Sequence, residues 1–64
     1  MNVELDQDML HELYEHLSDE IRELENKKEQ AISLGPVGYQ LAKMIDIQIK
    51  KRQEELDGVK YYLT

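Results

Sequence analysis

Cysteine, tryptophan and phenylalanine are all absent from this chain of 64 residues. Without cysteine, no disulfide can hold a small fold together, which is the usual situation in a reducing compartment. No stretch approaches the roughly 18 apolar residues of a membrane-spanning helix. The acidic N-terminus, Met1 to Asp6, also lacks the apolar segment of a signal peptide. We therefore expect a soluble, cytoplasmic protein that makes no membrane contact.

Glycine and proline are scarce, and most of them occur together. The chain has three glycines and one proline, and all but one of these residues lie in Leu34-Gly35-Pro36-Val37-Gly38. On either side of this segment, apolar residues recur at alternating steps of three and four, which is the spacing of a coiled-coil seam. The predicted seam contains Leu10, Tyr14, Leu17, Ile21, Leu24, Ile45, Ile49, Leu56, Val59 and Leu63.

The two apolar series mirror each other across the Gly-Pro segment. Leu17 is matched by Leu56 and Leu24 by Ile49, and the residue numbers of every matched pair have the same sum. Residues arranged in this way face each other when two helices run antiparallel. We predict an all-α, coiled-coil-like antiparallel two-helix hairpin that forms a single domain over residues 1–64. The helices are expected over about 6–33 and 37–62, with the turn over 34–37.

Local signals support these boundaries. Asp6 or Asp8 can accept hydrogen bonds from the free N–H groups of the first helical turn. Gly35 suits the left-handed conformation that ends a helix, and Pro36 suits the first position of the next helix. We expect helix 2 to continue through Gly58 because the seam spacing persists after it, with the preceding residue as the alternative end.

Two seam positions are charged. In the predicted pairing, Lys28 and Arg52 face isoleucines on the opposite helix. We expect their aliphatic stems to lie along the seam while their charges turn aside toward Glu20, Glu25 or Glu55. The alternative is that these polar intrusions fix the register and the oligomeric state.

Several apolar residues lie off the seam, where one hairpin cannot cover them. Scattered exposed apolar residues are common, but a patch of this size is typical of an interface with another chain. A second copy is the simplest partner, because two-fold symmetry uses one patch twice. We therefore predict a homodimeric four-helix bundle. The predicted patch contains Met9, Leu13, Leu34, Val37, Tyr39, Leu41, Met44, Ile47 and Tyr61.

Charge is unevenly distributed along the chain, whose net charge is −6. Residues 1–25 carry nine acidic residues and one basic residue, whereas the remainder carries seven basic and five acidic residues. The acidic face of helix 1 is either a solvated surface or a surface that attracts a basic protein partner. It contains Glu12, Glu15, Asp19 and Glu23.

No motif for catalysis is present. His11 and His16 with Glu12 resemble a zinc-protease motif, but the two histidines are five residues apart and would point about 140° apart on a helix. Neither serine has a base beside it, and there is no glycine-rich phosphate loop. We therefore predict no enzyme, no bound metal and no cofactor.

The sequence favours a small binding or regulatory protein, an adaptor or inhibitor, that acts through helical surfaces on a protein partner. In outline the chain resembles small hairpin regulators that dimerise into four-helix bundles, such as plasmid-copy-number RNA-binding proteins. This resemblance implies that a bundle of this size can act through its surface alone. One alternative is an RNA- or DNA-binding regulator that uses Lys43, Lys50 and Lys51. Another is a structural subunit of a larger coiled-coil assembly.

Overall fold

The computed structural model describes residues 6–63 and contains two α-helices. Helix α1 spans Gln7–Ile32 with 26 residues, and helix α2 spans Pro36–Tyr62 with 27 residues. The two helices pack antiparallel into a rod of 53 × 16 × 15 Å. This packing confirms the prediction of an all-helical chain folded as a hairpin. Within the described residues, neither helix combines the length and the apolar character that crossing a bilayer requires.

Helix α1 begins at an aspartate cap. The Asp6 carboxylate accepts hydrogen bonds from the backbone N–H groups of Asp8 at 3.0 Å and Met9 at 3.4 Å. Of the two capping candidates in the sequence, Asp6 is therefore the N-cap, and Asp8 adds a negative charge to the first turn. At the other end of α1, the Ser33 hydroxyl donates to the carbonyl oxygen of Gln30 at 2.6 Å.

The turn differs from expectation in the conformation of Gly35. Its φ is 86° and its ψ is −149°, which is an extended conformation of opposite hand and not the left-handed helical one. Only glycine adopts this region readily, because a Cβ atom would clash with the backbone. Gly35 thus acts as the N-cap of α2, and its carbonyl oxygen accepts from the N–H of Tyr39 at 3.1 Å. Pro36 occupies the first helical position, so α2 begins one residue earlier than expected.

The core forms two clusters along the helix interface. The cluster toward the chain termini has Leu17, Ile21, Leu56 and Val59 buried, with Leu10, Tyr14, Ile49 and Leu63 packed against them. The cluster toward the turn has Ala31, Ala42 and Ile45 buried, with Leu24 and Ile49 packed against them. The structure therefore places all ten predicted seam residues in these two clusters.

The helices approach each other closely near the turn, where the interface residues are small. Gly38 is buried, and a Cβ atom added to it would overlap the backbone carbonyl oxygen of Ala31. Ala31 and Ala42 are 2% and 4% exposed, so no larger side chain separates the helices here. The sequence indicates only that Gly38 lies in the Gly-Pro segment at the turn, whereas in the structure this glycine allows α2 to pack closely on the end of α1.

Helix α2 continues through Gly58 to Tyr62, as expected from the seam spacing. Gly58 is exposed, and a Cβ atom built on it meets no other atom within 4 Å. At this open end of the hairpin, the Gln7 side-chain amide donates to the carbonyl oxygen of Tyr62 at 3.2 Å. This hydrogen bond joins the first residue of α1 to the last residue of α2.

Candidate interaction surfaces

The predicted acidic face lies along the outer side of α1, and its last residue, Glu23, also borders the shallow groove between α1 and α2. Glu12, Glu15, Asp19 and Glu23 are all exposed, whereas Leu17 on the same helix is buried against α2. Among residues 6–63, none of these four carboxylates takes part in an ion pair. Their charges are therefore not neutralised within the protomer, and they are available to attract a positively charged molecule.

The charged seam residues form ion pairs between the helices, on opposite sides of the seam. Arg52 contacts the Glu20 carboxylate at 2.8 Å and Glu55 at 3.4 Å, as expected for its charge. Lys28 contacts Asp46 on α2 at 2.9 Å and none of the predicted glutamates. Asp46 lies directly beside Ile45, which is the seam partner of Lys28, so its carboxylate is within reach of the lysine across the interface.

The Lys28–Asp46 ion pair changes the pKa of the Asp46 carboxyl group. The hydrogen bond from the Lys28 ammonium group lowers the pKa of the Asp46 carboxyl below its ordinary value. Partial desolvation opposes this shift, while the positive charges of Lys28 and Lys50 reinforce it. Both side chains of the pair are 36% exposed, so solvent screens the interaction.

A shallow groove runs along one side of the seam, between α1 and α2. We call this side the groove face. Its walls near the turn are apolar, and its middle is charged, with the Arg52–Glu20 ion pair at one end. The groove is lined by Glu20, Glu23, Leu24, Lys27, Gln30, Ala31 and Leu34 from the first half of the chain and by Leu41, Ile45, Gln48 and Arg52 from the second.

The opposite side of the seam, which we call the opposite face, has a different composition. Its apolar part is limited to Ile32 and Tyr39 near the turn, and the Lys28–Asp46 ion pair follows directly. Further from the turn, its positions are charged or polar. The two sides of the hairpin are therefore chemically distinct, although the same seam separates them.

The predicted apolar patch is distributed over several surfaces. All nine of its residues are exposed, including Met44 at 62%, Ile47 at 67% and Tyr61 at 83%. Leu34 and Leu41 line the groove face, whereas Tyr39 lies on the opposite face. Helical spacing places the remaining members as follows: Met9, Leu13 and Met44 toward the groove face, Ile47 and Tyr61 on the outer side of α2, and Val37 at the turn.

Two exposed apolar residues lie outside the predicted patch. Ile32 is 42% exposed and Tyr62 is 53% exposed. Tyr62 directly adjoins the seam residue Leu63, and Ile32 adjoins Ala31, which the heptad spacing also places at the helix interface, so both positions could have been found from the sequence. Asp46 was also missed, although it adjoins the seam residue Ile45 in the same way.

The lysines of helix α2 are divided between two surfaces. Lys43 and Lys50 are seven residues apart and lie on the same side of α2 as Asp46, which contacts Lys50 at 3.5 Å. Lys51 is one residue further along and points about 100° away on the helix. The predicted basic strip is therefore narrow, and the Asp46 carboxylate partly neutralises its positive charge.

The two histidines lie on the exposed side of α1. His16 contacts Glu20 at 2.6 Å, and His11 is exposed. Within residues 6–63, no group of three or more histidine, cysteine or carboxylate side chains is placed to hold a metal ion. Comparison of the chain with protein-family models, with curated proteins and with solved structures gives no significant match.

Proposed function

We propose that the chain is a small, non-catalytic cytoplasmic protein that forms a homodimeric helical bundle and binds a protein partner through its helical surfaces. The observation that carries the proposal is the balance between buried and exposed apolar residues. Between residues 6 and 63, seven hydrophobic residues are buried, and eleven large hydrophobic residues are exposed. A two-helix hairpin has only one internal interface, so a further chain is needed to cover the rest.

Two chemically different surfaces support two roles. The exposed apolar residues suit association with another helical surface, because burying them removes apolar area from water. The acidic face suits a basic protein surface, because its four carboxylates have no ion-pair partner within the described protomer. We assign self-association to the apolar residues and partner binding to the acidic face.

The partner assignment is tested by affinity capture from the lysate of the native host with two charge variants. In the first, all four residues of the acidic face are replaced by amides: Glu12→Gln, Glu15→Gln, Asp19→Asn and Glu23→Gln. The control removes the same charge from exposed acidic residues elsewhere: Glu25→Gln, Glu29→Gln, Glu54→Gln and Asp57→Asn. Captured proteins are identified by mass spectrometry at low and at high salt.

We expect a basic protein that the wild type and the control capture at low salt and release at high salt, and that the first variant does not capture. Equal capture by both variants would contradict the role of the acidic face. Release of the captured material by nuclease, or salt-dependent retention of the pure protein on a polyphosphate column, would favour the nucleic-acid alternative. Growth of the pure protein beyond a dimer with concentration would favour the structural-subunit alternative.

A further inference from the structure

The exposed apolar residues are unevenly divided among the sides of the hairpin. Eleven large hydrophobic residues are exposed among residues 6–63. Two of them lie on the opposite face, two lie on the outer side of α2, and one lies at the turn: Ile32 and Tyr39, Ile47 and Tyr61, and Val37. The other six, which are more than half, lie along the groove face: Met9, Leu13, Leu34, Leu41, Met44 and Tyr62.

These six residues form two apolar segments, one at each end of the groove face. The segment near the turn contains Leu34, Leu41 and Met44. The segment near the open end contains Met9, Leu13 and Tyr62, and Tyr62 belongs to it because it follows Leu41 by three heptads on the same helix. The face therefore presents apolar surface at both ends of the rod.

The charged part of the groove face, between these segments, is neutral overall. It contains three acidic and three basic residues: Glu20, Glu23, Glu55, Lys27, Lys51 and Arg52. The whole chain, in contrast, has a net charge of −6. Two copies of an acidic chain repel each other where their acidic surfaces meet, and contact through a neutral face avoids this repulsion.

We infer that the groove face is the surface on which a second copy of the chain packs, while the opposite face and the outer side of α2 stay exposed in the dimer. Both helices form the groove face, so a two-fold dimer across it brings four helices together. Each end of the face is apolar, and apolar segments therefore meet whether the two rods run parallel or antiparallel. The choice of face does not depend on the direction of the second rod.

The dimensions of the hairpin favour packing along its side. A standard protein interface takes roughly 800 Å² from each partner. The side of the rod measures 53 × 16 Å, whereas its end measures 16 × 15 Å. Side-by-side packing can supply the required area, and end-to-end packing through the apolar turn cannot.

The other two sides are less suited to a second copy. On the opposite face, the Lys28–Asp46 ion pair lies next to the two apolar residues and is 36% exposed, so a second copy would have to remove both charges from water. On the outer side of α2, Ile47 and Tyr61 lie about 20 Å apart along one helix and form no continuous patch.

This inference rests on the self-association in the proposed function and specifies the surface that carries it. Helix α2 offers a matched set of three apolar residues that lie on three different sides of the hairpin. Met44 on the groove face is 62% exposed, Tyr39 on the opposite face is 60% exposed, and Ile47 on the outer side is 67% exposed. Each is replaced by glutamate, so that every variant adds the same charge to the same helix.

The first measurement is sedimentation equilibrium of the three variants and the wild type. We expect Met44→Glu to weaken dimerisation by at least about tenfold, because the substitution places two carboxylates in an apolar interface. Tyr39→Glu and Ile47→Glu should dimerise nearly as strongly as the wild type. Far-UV circular dichroism checks that each variant is helical. A loss of affinity in either control that equals the loss in Met44→Glu would overturn the inference.

The second measurement is protection of a single cysteine from alkylation, because the chain has no native cysteine. Met44→Cys, Tyr39→Cys and Ile47→Cys proteins are treated with iodoacetamide at concentrations below and above the midpoint of dimerisation. We expect the alkylation rate of Met44→Cys to fall as the dimer forms, and the rates of the other two variants to stay constant. Equal rates at all three positions in the dimer would contradict the assigned face.

The outcomes separate this inference from the proposed function. A dimer that is weakened by Tyr39→Glu or Ile47→Glu and not by Met44→Glu would overturn the inference alone, since self-association would persist through another side. A wild-type chain that remains monomeric in sedimentation equilibrium would overturn both the inference and the self-association in the proposed function.

Discussion

The close approach of the helices near the turn depends on Gly38, and replacing this residue tests the packing directly. A Cβ atom at position 38 would overlap the backbone carbonyl oxygen of Ala31. Because that oxygen belongs to the backbone, it cannot move aside as a flexible side chain would. Gly38→Ala therefore forces α2 away from the end of α1 and loosens the cluster formed by Ala31, Ala42 and Ile45.

The destabilisation caused by Gly38→Ala is judged against Gly58→Ala, which adds the same methyl group to the same helix. Both substitutions gain helix propensity of at most about 1 kcal/mol. At Gly58 nothing lies within 4 Å of the new atom, so that gain is the whole effect. At Gly38 the overlap adds a penalty of about 1–3 kcal/mol or more. Since the propensity terms largely cancel, the difference between the variants measures the penalty.

The assay is thermal unfolding followed by far-UV circular dichroism, with all proteins at the same concentration because dimerisation affects Tm. We expect Gly58→Ala to melt above the wild type and Gly38→Ala to melt well below Gly58→Ala. A difference of 1 kcal/mol corresponds to about 4–8 °C in a domain of this size. Equal melting temperatures for the two variants would refute the close contact between Gly38 and Ala31.

Three further predictions concern the turn, the core and pH. Gly35→Ala places a side chain at a φ of 86° and should destabilise the fold by about 1–3 kcal/mol in urea titrations, and an unchanged midpoint would contradict the assigned turn conformation. Leu17→Ala removes a core side chain that is 5% exposed and should lower stability by about 2–5 kcal/mol, whereas a loss below about 1 kcal/mol would place Leu17 outside the core. The pKa of Asp46 is lowered from its ordinary value of 3.8, so its ion pair stabilises the fold fully at pH values above 3.8. This stabilisation is lost as the pH falls through the lower pKa of the folded protein. The wild type should therefore melt above Asp46→Asn at neutral pH, and this gap should close in acid; a gap that widens as the pH falls would contradict the sign of the shift.

Much of the fold follows from heptad spacing, because a seam of large apolar residues leaves few ways to pair two helices. Leu17 with Leu56 and Leu24 with Ile49 specify both the direction and the register, and the structure places each pair in a common cluster. Helix continuation through Gly58 also follows from spacing, since one exposed glycine is outweighed by the packing of Val59.

The features that were not predicted depend on distances that spacing does not provide. Gly38 looks like part of a turn until the position of the Ala31 carbonyl group is known. The choice of Asp46 as the partner of Lys28 depends on which carboxylate the lysine reaches across the interface. The two sides of the hairpin likewise become distinct surfaces only when both helices are placed side by side.

One hairpin leaves exposed apolar residues that we propose a second copy covers, and sedimentation equilibrium of the unmodified chain measures this self-association. The chain has a mass of 7.6 kDa. We predict a monomer–dimer equilibrium in which the mass approaches twice this value as concentration rises and does not exceed it. A mass of 7.6 kDa at every concentration, for a chain that is helical and melts cooperatively, would contradict the claim.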